Sequence, residues 1–351
     1  VTESGRLPII KNILFIIEEV KIKISATNLE LGITSFTNGK INEEGGITIP
    51  FHTFYNIVSN TDSERIVIES DNNNIVVKTD NYQARIQGVS EEEFPIIPKI
   101  ENPVSSLEIN SLILKEALIE VVNAAQFSEI RPEISGILAD FQISTLKLVG
   151  TDSFRLAEKT IHNKQFSTTA DTGFKIIIPL KTIQEIIRVF RGDENIKIIV
   201  DLNQILFKTD SLELISRLIG GQYPDYDQIV PKRIDTEMVL DKEKFLNAVK
   251  LVSGFSGKVN DIKLRCKEGA KAVEVYSANQ YLGENNYLVP AKVKGSEFKE
   301  ISFNWRYLLD GLKSMKSESI IMGVSGDTRP AILKSLNDTS YFYILMPIKA
   351  S

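Results

Sequence analysis

Between Asn110 and Phe127 the apolar residues Leu114, Leu118, Ile119 and Val122 fall three or four positions apart, aligning them along one helix face. Asn110 supplies a capping oxygen, so the pattern predicts a helix from there to about Phe127. Segments 136–141, 145–149 and 155–160 are rich in β-branched residues between turn formers, which predicts strands. Phe174 to Ile178 continues as a strand, and Pro179 marks the start of a second helix running to about Arg191. Leu180, Ile183, Ile186, Ile187 and Phe190 recur there at helical spacing. Three more strand-like runs follow at 196–201, 204–208 and 212–219. The last third has the same grammar. Asp241 caps a helix carrying Phe245, Ala248, Val249 and Val252, and a later helix turns Leu308, Leu309, Leu312 and Met315 to the core.

The grammar repeats in detail. Ile47-Thr48-Ile49-Pro50 returns as Ile176-Ile177-Ile178-Pro179 at an offset of 129, and Lys78-Thr79-Asp80 as Lys208-Thr209-Asp210 at 130. Phe94-Pro95 returns as Tyr223-Pro224 at 129, while Pro8 and Thr27-Asn28 return as Pro132 and Thr151-Asp152 at 124. A fainter third copy shows in Val275-Tyr276-Ser277-Ala278-Asn279 and in Ile301-Ser302-Phe303-Asn304. These offsets predict three domains, 1–102, 103–232 and 233–351, each of two halves made of a helix followed by antiparallel strands. The fold class is α+β. The first copy lacks the opening helix of the other two and starts at Val1, so residues upstream of Val1 are expected.

Composition narrows the function. Length alone, at about 150 residues per domain, suggests two or three domains; the repeat selects three. Forty-one Lys and Arg against 46 Asp and Glu leave a net charge of −5, which argues against a polycation that binds nucleic acid by overall charge. The single cysteine, Cys266, excludes an internal disulfide and any cysteine-rich zinc site, in keeping with a cytoplasmic protein. No secretory signal and no apolar run of membrane-spanning length occurs.

Catalytic signatures are absent. The two histidines, His52 and His162, form no zinc motif, and no dinucleotide or nucleoside-triphosphate loop is present. Gly254-Phe255-Ser256-Gly257-Lys258 lacks phosphate-loop spacing, and Glu91-Glu92-Glu93 reads as a solvated turn. No metal or cofactor is expected. An enzyme of nucleotide or nucleic-acid metabolism, with a metal held by scattered carboxylates, stays open as an alternative.

Positive residues gather on the polar faces of the predicted helices: Lys115, Lys181, Arg188 and Arg191, then Lys242, Lys250, Arg306, Lys313 and Lys316. A single such helix is an ordinary solvated face. Recurrence in equivalent helices suits a surface that meets a phosphate backbone without reading sequence.

Several stretches resemble the bacterial sliding clamps, the beta subunits of DNA polymerase III. They are Leu7-Pro8-Ile9-Ile10, Arg131-Pro132 with Gly136-Ile137-Leu138, and Thr151-Asp152-Ser153-Phe154-Arg155-Leu156. Tyr223-Pro224-Asp225-Tyr226 with Ile229 and Pro231, and the closing Tyr343-Ile344-Leu345-Met346-Pro347-Ile348, continue the likeness over essentially the whole chain. The resemblance implies two chains joined head to tail in a closed ring around duplex DNA. The ring would tether the polymerase's catalytic subunit, the clamp loader and other clamp-motif proteins, with no bond chemistry of its own.

By the same resemblance, partners dock a short linear motif against Ile134, Thr151, Ser153, Phe154, Arg155 and Leu156. Pro224, Ile229 and Tyr307 extend this pocket, and Ile344, Leu345, Met346, Pro347 and Ile348 complete it. Residues expected to face DNA are Arg131, Lys181, Arg188, Arg191, Lys242, Arg306 and Lys313. Candidates for the dimer joint are Leu107 and Ile109 on one edge, with Leu251 and Val252 on the other. Phe154 replaces the family's usual histidine, Lys349 stands where arginine is common, and the opening strand and helix of the first domain are absent. A diverged paralogue with altered partner or inhibitor binding is a further reading.

Overall fold

A computed structural model describes residues 7–18, 20–266 and 271–349. The chain forms two compact units, one of Val1–Ile109 with Glu194–Leu218, the other of Asn110–Asp193 with Ile219–Ser351. The second repeat therefore contributes to both.

In the first unit, strands β1 (Asn12–Glu18), β2 (Lys21–Thr27), β3 (Leu31–Thr37) and β4 (Gly45–Pro50) lead into helix α1 (Phe51–Ser59). A separate antiparallel sheet follows, made of β5 (Val67–Asp71), β6 (Asn74–Lys78) and β7 (Gln83–Gln87). The core lies between them, where Ile13, Phe15, Ile47 and Ile49 meet Ile75, Val77 and Ile86. Strand β8 (Ser105–Asn110) reaches the end of this unit.

The chain then enters helix α2 (Ser111–Val122), strands β9 (Gly136–Gln142), β10 (Thr145–Thr151), β11 (Arg155–His162), β12 (Phe166–Thr168) and β13 (Phe174–Pro179), and helix α3 (Leu180–Val189). Strands β14 (Asn195–Val200), β15 (Gln204–Lys208) and β16 (Leu212–Arg217) return to the first unit, giving the sheet order β8-β14-β15-β16-β3-β2-β1-β4. The third repeat holds β17 (Thr236–Asp241), α4 (Lys242–Ser253), β18 (Asp261–Cys266), β19 (Ala272–Asn279), β20 (Gly283–Gly295), β21 (Ile301–Asn304) and α5 (Trp305–Ser314). It closes with β22 (Ser319–Val324), β23 (Ala331–Ser335) and β24 (Tyr341–Leu345). The second unit's sheet runs β13-β9-β10-β11-β24-β23-β22-β17-β20-β19-β18-β21.

Local chemistry explains the helix starts. Asn110 accepts from the Leu112 amide at 3.0 Å, Asp241 from Lys244 at 2.9 Å and Asn304 from Arg306 at 3.0 Å, each satisfying an amide without a helical partner. Helix α2 stops at Val122, five residues before the expected end, because the chain turns there and leaves Phe127 exposed. Its buried face is Leu114, Ala117, Leu118 and Val121, while Ile119 is exposed, so the stripe is rotated from the predicted one. Helices α2 and α3 pack together, as do α4 and α5, and α2 also meets α5.

Candidate partner-binding site and helix face

The site begins with a turn. Thr151 Oγ1 donates to the Arg155 carbonyl at 2.7 Å and accepts from the Ser153 amide at 3.1 Å. Asp152 Oδ1 accepts from the amides of Phe154 and Arg155 at 2.9 and 3.0 Å. These bonds hold Ser153 at φ 76°, a left-handed conformation costly for most side chains. Phe154 is thereby pushed out and is 60% exposed.

Behind the turn, β11 pairs with β24, setting Arg155 opposite Leu345 and Leu156 opposite Ile344. The Met346 amide donates to the Phe154 carbonyl at 2.9 Å, tying it to this wall, whereas the Ile348 amide donates to the Ser302 carbonyl on β21 at 2.8 Å. Ile134, Leu156 and Ile344 share one core cluster with Tyr223 and Tyr226. Tyr223 donates its hydroxyl to the Val149 carbonyl, and burial pushes its phenol well above the ordinary tyrosine range.

Most of the expected pocket residues thus fall in one neighbourhood, but in two layers. Ile134, Thr151, Leu156, Ile344 and Leu345 are buried and form its floor. Ser153, Phe154 and Ile229 are exposed, while Pro224, Tyr307, Met346, Pro347 and Ile348 are half-buried and offer contact surface.

Arg155 occupies the centre. Its Nε donates to Asp152 Oδ2 at 2.9 Å and its Nη1 to Asp310 Oδ2 at 2.5 Å, and its guanidinium lies 4.3 Å from the Tyr307 ring centroid. Burial works against its charge, but Tyr343 and the two aspartates outweigh that and hold it protonated beyond the usual arginine range. Asp152, Asp310 and Tyr343 were not among the sequence candidates. The one available signal was the position of Asp310, one helical turn after Tyr307.

A cleft of about 520 Å³ opens beside α2 and α3 and shares only Arg155 with the expected pocket. Ile119, Val122, Leu180 and Ile187 form its apolar walls, and Gln184 and Asp310 its polar edge.

The expected DNA-facing residues divide. Lys181, Arg188, Arg191, Arg306 and Lys313 are exposed on or beside α3 and α5. Arg188 pairs with Glu185 at 2.7 Å, and Arg306 donates to Asn260 at 3.2 Å while lying over Trp305. Lys242 is largely withdrawn: its Nζ donates to the Met315 carbonyl at 3.3 Å, with 19% of the side chain exposed. Arg131 sits off the helices altogether, donating to Ser153 Oγ at 2.9 Å and to Glu133 at 3.1 Å on the rim of the site. Lys316 lies past the end of α5 and pairs with Glu116 and the buried Glu120.

The dimer-joint candidates differ in exposure. Leu107 and Ile109 occupy the inward positions of β8 and are 4% and 1% exposed, and Val252 is 1% exposed, so all three are spent on their own core. Leu251 alone is exposed. Its surroundings are the Asn285 side chain, which donates to its carbonyl at 3.2 Å, and the β19–β20 turn with Tyr281 and Leu282 exposed at the tip.

Among the described residues no group of three His, Cys, Asp or Glu is placed to hold a metal ion, and no helix is long and apolar enough to cross a membrane.

Comparison with known proteins adds identity to this geometry. The chain is 27% identical to the beta sliding clamp of Synechococcus elongatus over 349 residues, covering 97% of this chain and 92% of the relative. It is 25% identical to that of Bacillus subtilis over 362 residues, covering 99% and 94%. The crystal structure of the Bacillus subtilis DNA polymerase sliding clamp superposes with a TM-score of 0.93 at 25% identity, covering 100% of this chain and 94% of the other. A Pseudomonas aeruginosa sliding clamp bound to griselimycin shares the fold at TM-score 0.94 and 22% identity, covering 100% and 94%. Sequence models for the N-terminal, central and C-terminal domains of the DNA polymerase III beta subunit match residues 1–98, 108–225 and 227–349 in turn. Matched in order along its length by all three domains, the chain belongs to the DNA polymerase III beta subunit family.

Proposed function

We propose that the chain is a replication sliding clamp, which joins a second copy head to tail, surrounds duplex DNA and tethers DNA polymerase III for processive synthesis. The observation that carries the reading is the in-order match of three beta-subunit domains over nearly the whole chain. Such a protein makes and breaks no bonds. It raises the effective concentration of polymerase at the primer end by confining both to one DNA molecule. The exposed Lys181, Arg188, Arg191, Arg306 and Lys313 suit contacts with phosphates that hold without stopping. The site of action is then the bacterial cytoplasm.

The wall around Phe154, Tyr307 and Met346 is the surface proposed for partner motifs, with the clamp loader among those partners. It has apolar contact area and a flexible thioether that can repack around different side chains. We propose griselimycin, to which a Pseudomonas aeruginosa clamp is bound, as a ligand for this surface and so as a probe of it. The surface proposed for the second copy is Leu251 with Tyr281 and Leu282, apolar groups that are otherwise left in water.

The test is topological. Loaded onto nicked circular DNA, the protein should stay bound through a high-salt wash and be released when the circle is cut. Equal, salt-sensitive retention on circular and linear DNA would show ordinary electrostatic binding and end the clamp reading.

A further inference from the structure

We propose that Asp310 is a positioning residue for the partner site: it holds the Arg155 guanidinium in the plane that supports Tyr307, and so fixes the spacing between two walls of the site. The inference rests on the partner-site reading above, but its structural half can be tested without a partner.

The argument starts from how fully Arg155 is used. A guanidinium is a flat fork with donors along its edges and two faces for stacking. Here one edge is held by Asp152 at 2.9 Å, another by Asp310 at 2.5 Å, and a face lies 4.3 Å from the Tyr307 ring centroid. With 10% of the side chain exposed, water supplies little competition for these bonds. The two carboxylates come from different parts of the fold. Asp152 belongs to the turn that carries Phe154, whereas Asp310 lies on α5, three residues after Tyr307 and on the same helical face. One planar group therefore ties the turn to the helix.

Asp310 is the member that sets the angle. Asp152 is committed to its own turn through the amides of Phe154 and Arg155, so it fixes where the guanidinium begins but not how it rotates. The Asp310 bond removes that rotation. The Tyr343 hydroxyl, donating to the Tyr307 carbonyl at 2.9 Å, holds the backbone beneath the stacked ring. Without Asp310 the guanidinium keeps Asp152 and the Tyr343 hydroxyl but loses its bond to α5, so its plane can shift toward the cleft that it shares with Ile119 and Gln184, and Tyr307 loses support. Charge follows geometry. Two aspartates outnumber the one cation, so the held guanidinium presents no unpaired positive charge.

The experiment compares wild-type protein with Asp310→Asn and Asp310→Glu, using griselimycin affinity and the arginine side-chain nitrogen NMR spectrum of the free protein. The expected result is a slowly rotating, exchange-protected Arg155 guanidinium in wild type and Asp310→Glu. In Asp310→Asn the guanidinium should rotate fast and griselimycin affinity should fall about ten-fold, with Asp310→Glu recovering to within about three-fold. An unaltered Arg155 signal in Asp310→Asn overturns the positioning role, as does an equal loss of affinity in both variants. Failure of the wild-type protein to bind griselimycin counts against the partner-site reading, and the Arg155 signal alone then decides the role of Asp310. Should Asp310→Asn fail to fold, a freely rotating Arg155 in folded Asp310→Glu overturns the role and a protected one supports it.

Discussion

The turn at Thr151 has a twin at Thr27, 124 residues earlier. Thr27 Oγ1 donates to the Leu31 carbonyl at 3.0 Å and accepts from the Leu29 amide at 3.0 Å, and Asn28 Oδ1 accepts from the amides of Glu30 and Leu31. Leu29 has φ 76°, the value found at Ser153. The backbone device is the same in both places. The four side chains after the threonine all differ, and two of those differences make the anchor. Asn28 becomes Asp152, which gains a charge, and Leu31 becomes Arg155, which uses it. A turn that only ends one hairpin in the first unit becomes an anchor point in the second. The geometry is common to both turns; the charge pairing is confined to the second.

The largest effect expected is at Arg155. Arg155→Ala leaves Asp152 buried without its cation and should cost about 3 kcal/mol or more, against about 1.5 kcal/mol for Leu31→Ala in the twin. Urea unfolding of the two variants measures the gap, and equal losses would mean that the added ion pairs contribute nothing. Next come the threonines. Thr151→Val and Thr27→Val each remove two hydrogen bonds and should cost about 1–2 kcal/mol. Near-equality by the same measurement shows that the backbone device is common to both turns.

Glycine separates the twins at the left-handed position. Leu29→Gly should stabilise by about 1 kcal/mol, since an exposed leucine at positive φ is strained. Ser153→Gly should give less, because it also removes the hydroxyl that receives Arg131. Thermal unfolding resolves the order. The smallest effect is in acid. The Glu133 backbone amide, and then Arg131, hold its carboxyl below the ordinary carboxylate range. Because the folded value is depressed, its stabilising contribution is present above the unfolded value near 4.5 and is lost as pH falls through the folded one. A carbon NMR titration should place the Glu133 midpoint below 4.5.

How much of this was legible beforehand depended on range. Asn110 and Asp241 are cap residues whose partners lie two or three positions away, and both caps form as the sequence suggests. The Thr-Asx repeat at 27 and 151 was visible as a matching pair for the same reason. Burial was harder to read. Leu107 and Ile109 look available as apolar residues near a domain boundary, yet strand alternation turns both inward. Leu251 and Val252 are neighbours in sequence but project from α4 about 100° apart, one into water and one into the core. The Arg155–Asp310 contact spans 155 positions and had no local signature at all. The charge of Arg131 is visible in the sequence, whereas the Ser153 hydroxyl that receives it lies 22 positions away.

Strand β20 has a consequence of a different kind. It is 13 residues long, pairs with β19 through Gly283–Pro290 and with β17 through Ala291–Gly295, and so belongs to both halves of the third repeat. A force pulling those halves apart would act along the peptide bonds of one continuous strand as well as across hydrogen bonds. Under mechanical tension, such as a translocating motor pulling on a tethered protein would impose, the third repeat should yield as a whole rather than unzip half by half.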